Sequence, residues 1–293
     1  IMMDYQFNIA DLCFALPELF VLGAISVILL LDLFVSERFQ NLTYYLTLAT
    51  LAVMGYFAAG LIGESTVIFD GTFVLDSVAS TFKVFIAGFS IVAMVYSRYY
   101  LRVHSLLRGE YFVLVLLSVL GMMVMASAHS LLTVYLGLEI MSLSLYTMIA
   151  IARDRAVAVE AALKYFILGA IASGLLLYGM SMIYGVTGSL NIADIASFAM
   201  ISSLTSEQVL ILNFGLVFLV IGVAFKFGAV PFHMWVPDVY HGAPTSVTMF
   251  LSTVPKIAAT VMLVRLLIDG LGGLQAYWAD LFMILAILSI GLG

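Results

Sequence analysis

Lys83, Lys164, Lys226 and Lys256 are the only lysines of the chain, and each lies inside a strongly apolar segment. Burial disfavours a charged ammonium, so a buried lysine can give up its proton, whereas arginine stays protonated in any protein setting. The arginines here fall mostly in connections. Titratable cations in apolar stretches and permanent cations in water suit one chemistry, the handling of protons inside a membrane. An ionisable side chain at membrane depth costs roughly 2.5–3.5 kcal/mol on insertion scales and marks an ion path or a proton relay.

Lys226 opens a stretch that runs to Lys256 and holds four of the five prolines (Pro231, Pro237, Pro244 and Pro255) and two of the four histidines. A proline cannot donate to the carbonyl four residues back, and it disfavours helical geometry in the residue before it. With Gly228 and Pro231 following it, the helix carrying Lys226 should stop just past that lysine. The same argument predicts a second break at Pro255, beside Lys256. A broken helix at membrane depth is tolerated only where protein or a water-filled cavity satisfies the freed backbone groups. Lys226 is therefore the strongest single candidate for a proton carrier.

Lys256 sits in a stripe of Thr248, Ser252, Lys256 and Thr260, each four residues from the next. Hydroxyls on either side of an ammonium both donate and accept, which a hydrated relay needs. Hydroxyls in a helix also bond their own carbonyls, which is the competing reading. His233 and His241 fall in the segment between the prolines and titrate near neutrality. They could equally face the aqueous interface, and with only Asp238 beside them they make a weak metal set.

Tyr135, Glu139, Ser142 and Tyr146 are spaced four, three and four residues apart, so they form a polar stripe on one face of an otherwise apolar helix. A buried carboxylate there is either a static ion pair joining two helices or a proton carrier. The rarity of intramembrane acids favours the second. Glu160 precedes Lys164 by four residues, a spacing that suits a surface pair and a functional pair alike. Lys83, two turns inside the third apolar segment, could snorkel outward and reads as structural.

The elements that must position these residues are membrane helices. The chain has 293 residues, 64% hydrophobic and 10% charged, with a mean hydropathy of +1.19, far outside the soluble range. A net charge of −6 without any Lys/Arg run argues against nucleic acid. One cysteine, Cys13, excludes a disulfide framework and a Cys-ligated iron–sulfur cluster within this sequence. No nucleotide or zinc-protease motif is present. No cofactor or metal is expected in this chain, and redox chemistry coupled to it belongs on other chains. The first apolar run lacks a signal-peptide pattern and reads as a retained span. The final apolar run reads as unfinished, as if the chain were cut there.

About 20 apolar residues cross a 30 Å core, which places spans near 17–35, 43–63, 77–97, 111–128, 130–150, 161–185, 209–230 and 244–268, with a ninth begun at 278. The residues from Ala126 to Ser130 must turn the chain between the fourth and fifth. The connection 186–208, with apolar Ile192, Ile195, Phe198 and Ile201, is either a short surface helix or an ordinary loop. Six of the seven arginines follow odd-numbered spans: Arg38, then Arg98, Arg102 and Arg108, then Arg153 and Arg155. The positive-inside rule puts those loops in the cytoplasm and the N-terminus outside. Arg265, near the outer end of the eighth span, is the exception and can snorkel.

Three stretches resemble the antiporter-like subunits of respiratory complex I, NADH-quinone oxidoreductase: LTVYLGLEIMSLSLYTM around Glu139, EAALKYFILGAIASGLLLYG around Lys164, and FKFGAVPFHMWVPDVYHGAPTSVTMFLSTVPKIA from Phe225 to Ala259. The resemblance covers essentially the whole chain, and the three spans before residue 110 look like the bacterial-length form. It implies an all-α polytopic bundle of two inverted five-helix repeats, each with a broken helix. Residues 1–110 would then be three N-terminal helices, 111–268 the first repeat, with a broken seventh span, and 269–293 the start of the second.

The family's motif glutamate and lysines map onto Glu139, Lys164, Lys226 and Lys256, while its span-twelve ionisable site would lie beyond Gly293. Pro231, Pro255, His233, His241, Tyr135, Ser142, Ser252, Thr260 and Glu160 stand as supporting residues. The implied mechanism is electrostatic gating, in which a charged Lys226 stabilises ionised Glu139 and their separation drives the lysine's proton toward Lys256. NAD, FMN, iron–sulfur clusters and quinone are expected in partner subunits. The implied setting is the bacterial inner membrane, beside the other membrane subunits of the complex and neighbouring antiporter-like ones. A cation/proton antiporter subunit and a structural membrane spacer are the alternatives.

Overall fold

The computed structural model describes residues 9–34, 40–200 and 204–293. Arg38 and Ile201 lie outside the described residues. Two helices, α1 (Ile9–Phe14) and α2 (Leu16–Phe34), lead into α3 (Gln40–Gly60), a small hairpin, and α4 (Ser77–Val103). Next come α5 (Gly109–Ala126), α6 (Leu131–Ile149), α7 (Ala156–Thr187), α8 (Ile192–Ala199) and α9 (Ser206–Phe227). The short α10 (Trp235–Gly242) precedes α11 (Thr245–Leu263), a π-helical turn (Val264–Gly270), a 3₁₀ turn (Gly272–Leu274) and α12 (Gln275–Leu292).

Among the described residues nine helical stretches are long and apolar enough to cross a membrane, and the chain is a multi-pass membrane protein. Large apolar side chains such as Leu33, Tyr56, Tyr99 and Ile171 stand exposed around the bundle, as a lipid-facing surface requires. Within helices every backbone group is satisfied locally, which is what hydrocarbon demands.

The predicted spans match these helices to within a few residues, with two instructive differences. α4 runs past residue 97 to Val103, so Arg98 and Arg102 lie on its last turns rather than in a loop. Arg98 donates to the Tyr45 hydroxyl at 2.9 Å and stacks on the Tyr44 ring. At 32 residues, α7 is roughly 48 Å long at 1.5 Å per residue, and its first turns carry Glu160 and Lys164.

α5 is the central helix, its residues mostly buried, and it packs against α6. Gly121 and Gly137 face each other across that contact, and a Cβ at either would meet the backbone of the opposite helix. Close backbone approach through small residues is how membrane helices associate without a hydrophobic driving force. α7 and α9 meet in the same way through Gly179 and Gly215.

The four-residue turn between α5 and α6 is where sequence analysis placed it. The hairpin β1 (Thr66–Ile68) and β2 (Phe73–Leu75) supports it. Val74 N–H donates to the Ser127 carbonyl at 2.8 Å, and His129 N–H to Thr72 at 3.0 Å. Leu131 N–H reaches Leu190 at 2.9 Å and Ile192 N–H reaches His129 at 3.0 Å. The connection 186–208 contains the short helix α8, with Ile192 and Ile195 buried and Asn191 capping the first turn through Ala193 N–H.

Candidate functional site

Lys226 is the penultimate residue of α9, which ends at Phe227 with Gly228 in the left-handed conformation at φ 72°. The stop past Lys226 follows the local rule: a glycine takes that φ without a Cβ penalty. Helix resumes at Trp235, after Pro231, which is exposed. A helix end leaves carbonyls without partners, and here three are taken. Trp235 Nε1–H donates to the Phe225 carbonyl at 3.0 Å, and Lys256 Nζ donates to those of Lys226 and Phe227 at 2.7 and 3.0 Å. The Lys256 ammonium also lies 5.0 Å from the centre of the Trp235 ring. A cation at the negative end of a helix dipole is well placed. The two lysines are thus joined through one peptide carbonyl.

Lys226 itself is buried and donates to the Ser142 hydroxyl at 2.8 Å. That hydroxyl in turn donates to the Leu138 carbonyl at 2.6 Å. Glu139, three residues before Ser142 on α6, accepts from Ser173 of α7, whose hydroxyl is 3.3 Å from that of Tyr135. The polar stripe Tyr135, Glu139, Ser142 predicted from spacing therefore exists and splits two ways, toward Ser173 and toward Lys226. Lys226 and Glu139, coupled electrostatically in the mechanism that the resemblance implies, make no direct ion pair in this structure; Ser142 takes the ammonium. Three residues along a helix bring Ser142 to the same face as Glu139, so the carboxylate stays within electrostatic reach of Lys226.

Pro255 does not break its helix. α11 runs unbroken from Thr245 to Leu263 through it. Hydroxyls of the same turns bond nearby carbonyls, Thr253 to Met249 and Phe250 and Ser252 to Met249. These bonds go to carbonyls other than that of Leu251, the one that the proline leaves without its donor. Two members of the hydroxyl stripe follow its competing reading, Thr260 donating to the Lys256 carbonyl at 3.0 Å and Ser252 to that of Met249 at 3.2 Å, while Thr248 lies 3.3 Å from the Tyr240 carbonyl of α10. Helix regularity is lost later, in the π turn at Val264–Gly270.

Lys164 binds Glu160 at 2.9 Å and Asp238 of α10 at 2.8 Å. It makes no ion pair or hydrogen bond with Glu139, but α10 links it to the other lysines, since Asp238 and Trp235 sit one turn apart. Between them Tyr165 stacks on Trp235, with ring centres 4.6 Å apart, and meets Tyr146 edge-on at 4.8 Å. Asp238, read from sequence as a weak metal ligand, is an ion-pair partner. His241 is exposed, and His233 is half-buried with Nδ1 unpartnered. Among the described residues no three His, Cys, Asp or Glu side chains gather as a metal site.

Two ionic sites escaped sequence analysis. Lys83 does not snorkel: it is fully buried, 2.5 Å from the buried Glu18 of α2 and 5.1 Å from the centre of the Phe73 ring. Arg265 does not snorkel either. It is buried, donates two bonds to Asp76 at 2.7 and 2.8 Å, one to Asp269 at 3.0 Å and one to the Ala126 carbonyl at 3.0 Å. This ties the end of α11 to the N-cap of α4. Burial pushes the Asp76 carboxyl up, but the Arg265 bonds, the Ala79 N–H and the charges of Arg265 and Lys83 outweigh it and hold it below the usual range. Burial and the nearby Arg265 charge lower His129 in the adjoining turn. A lone acid one turn into an apolar run, such as Glu18, was the signal available for the first pair.

A bundle of apolar helices in which two lysines meet at the end of an interrupted helix defines the class, a multi-pass membrane protein with ionisable groups inside its bundle. The pattern of the family described as NADH:quinone oxidoreductase/Mrp antiporter, TM, matches residues 128–293, and the chain belongs to that family. Over 289 residues the chain is 68% identical to NADH-quinone oxidoreductase subunit N of Ruthia magnifica subsp. Calyptogena magnifica, covering 98% of this chain and 60% of that protein. To the protein of the same name from Alkalilimnicola ehrlichii it is 51% identical, with 98% and 59% covered. The chain thus spans about three-fifths of the length of these curated relatives.

Among solved structures, a chain of respiratory complex I from Thermus thermophilus with bound aureothin superposes with a TM-score of 0.70 at 30% identity, over 85% of this chain and 52% of that one. The Mrp complex from Dietzia sp. DQ12-45-1b superposes at 0.69 and 22% identity, over 86% and 49%, a likeness of fold alone.

Proposed function

We propose that the protein is a proton-translocating membrane subunit of a bacterial NADH:quinone oxidoreductase, in which Glu139, Lys164, Lys226 and Lys256 carry or gate the proton. The observation that carries this reading is the setting of Lys226. A buried ammonium held by a neutral hydroxyl rather than a carboxylate is free to change its protonation state without stranding a partner charge. Its neighbour Lys256 is bonded to the Lys226 carbonyl at 2.7 Å, so a shift at the end of α9 is felt by both lysines. Ser142 sits where it can exchange a proton with Lys226 and adjoins Glu139 on the same helix face. Tyr135, Ser252, Thr260, Pro231, Pro255, His233, His241 and Glu160 support these groups.

The division into three N-terminal helices (1–110), a first repeat (111–268) and the start of a second (269–293) belongs to the same proposal. So do placement in the inner membrane, partnership with other membrane subunits including antiporter-like ones, and the location of NAD, FMN, iron–sulfur clusters and quinone in those partners. The strong identity to proteins named as oxidoreductase subunit N favours this over a cation/proton antiporter. Inverted vesicles carrying the full complex distinguish the two. Acidification driven by NADH oxidation and abolished by blocking quinone reduction supports the proposal. Acidification driven by a sodium gradient in the absence of NADH would replace it with the antiporter reading.

A further inference from the structure

At the end of the bundle that carries the arginine connections, two cavities adjoin. The first, of about 390 Å³, lies between the end of α4 and the α6–α7 connection and is lined by Tyr100, His104, Arg108, Arg153, Asp154 and Arg155 among others. Three guanidiniums face it against one carboxylate. The second, of about 430 Å³, shares Ile151 and Arg153 with the first and is lined by the apolar side chains of Leu29, Val113, Leu114 and Val159 with Thr147. Its lining comes from α2, the first turns of α5, the end of α6 and the start of α7, so it extends from the helix ends toward the membrane interior. One polar residue at its mouth, Glu110, accepts from Arg153 at 3.2 Å on the surface.

We propose that the joined cavities bind one anionic phospholipid, with the phosphate among Arg108, Arg153 and Arg155 and an acyl chain along Leu29, Val113 and Leu114. Guanidinium groups match phosphate oxygens in paired hydrogen bonds. Basic pockets between helices at the membrane surface select anionic headgroups, each Lys or Arg near the surface strengthening the attraction. The Arg-lined cavity alone would suit any phosphate, and the apolar cavity alone any acyl chain. Their junction at Arg153 and Ile151 is what selects a molecule carrying both. The site is separate from the lysines of α9 and α11 and does not rest on the proton-transfer reading.

The test uses the full-length protein in nanodiscs of phosphatidylcholine mixed with phosphatidylglycerol, with retained lipid counted by native mass spectrometry. Wild type should retain phosphatidylglycerol in preference to phosphatidylcholine. Arg108→Gln with Arg155→Gln should weaken that retention by roughly 30-fold, two arginines' share of the attraction. Both side chains are exposed, and neither makes a cap hydrogen bond at the helix start it occupies. Lysines at both positions should keep the preference, which separates lost charge from lost folding. Leu114→Trp, which fills the apolar cavity and leaves the arginines, should also release the lipid. Equal retention of both lipids, or no change in the glutamine pair, would overturn the proposal. So would displacement by inorganic phosphate with Leu114→Trp silent, since that marks a free-anion site, or an empty site in the assembled complex, since that marks a protein contact.

Discussion

Replacing Lys83 by Met tests what a buried ion pair does in this bundle. Lys83 and Glu18 have side chains 0% and 8% exposed, with Nζ 2.5 Å from Oε1. At that distance and an effective dielectric of 20 their attraction is roughly 7 kcal/mol, set against a desolvation cost of several kcal/mol for each ion. The pair as a whole is near balance, but half of it is not. Lys83→Met leaves a carboxylate desolvated between α2 and α4 and should cost about 3–5 kcal/mol, as should Glu18→Leu alone. The double variant Glu18→Leu, Lys83→Met removes both charges and should recover most of that loss. Equilibrium unfolding in mixed micelles reads the cycle directly. The reasoning is refuted if either single variant costs less than about 1 kcal/mol, or if the double variant is no better than the worse single one. NADH-driven proton pumping by the double variant should stay near wild type, because this pair lies outside the lysines bonded at the end of α9.

Asp76 gives a pH dependence. Its carboxyl is held below the ordinary range in the fold, so its contribution is present above about pH 4, where the unfolded group ionises, and is lost as pH falls through its folded value. Thermal melting of wild type should fall on acidification through that region, and Asp76→Asn should lower stability at neutral pH while removing this part of the acid response. At Gly121, where an added Cβ would meet the backbone of Met141 and Gly137, Gly121→Val should push α5 from α6. A loss of at least about 2 kcal/mol, in line with overpacking elsewhere, should appear as reduced thermal stability, while Val at the uncrowded Gly174 should be tolerated.

What the sequence disclosed follows from how local each cause is. The stop after Lys226 was legible because Gly228 and Pro231 act on their own turn. Pro255 was misread for a related reason: its missing N–H is a local defect, but Pro255 is buried against neighbouring helices and α11 stays helical through it. The polar face of Tyr135, Glu139 and Ser142 follows from helical spacing alone. Which of them would hold Lys226, 84 residues away from Ser142, depends on the α6–α9 approach that no local rule supplies. The same holds for Glu18 with Lys83, and for Arg265 with Asp76, 189 residues apart. Snorkelling was the reasonable reading for isolated cations near span ends, and it failed because the structure gives each an acidic partner from another helix.

The central claim is that Lys226 is a proton carrier rather than a brace for the end of α9. Lys226→Met removes the titratable group and keeps a chain of similar length that fits among buried neighbours. In inverted membrane vesicles with assembly checked on a native gel, the account expects an assembled complex whose NADH-driven proton pumping, or the oxidation tied to it, collapses. Normal assembly with pumping per electron at the wild-type level would contradict it.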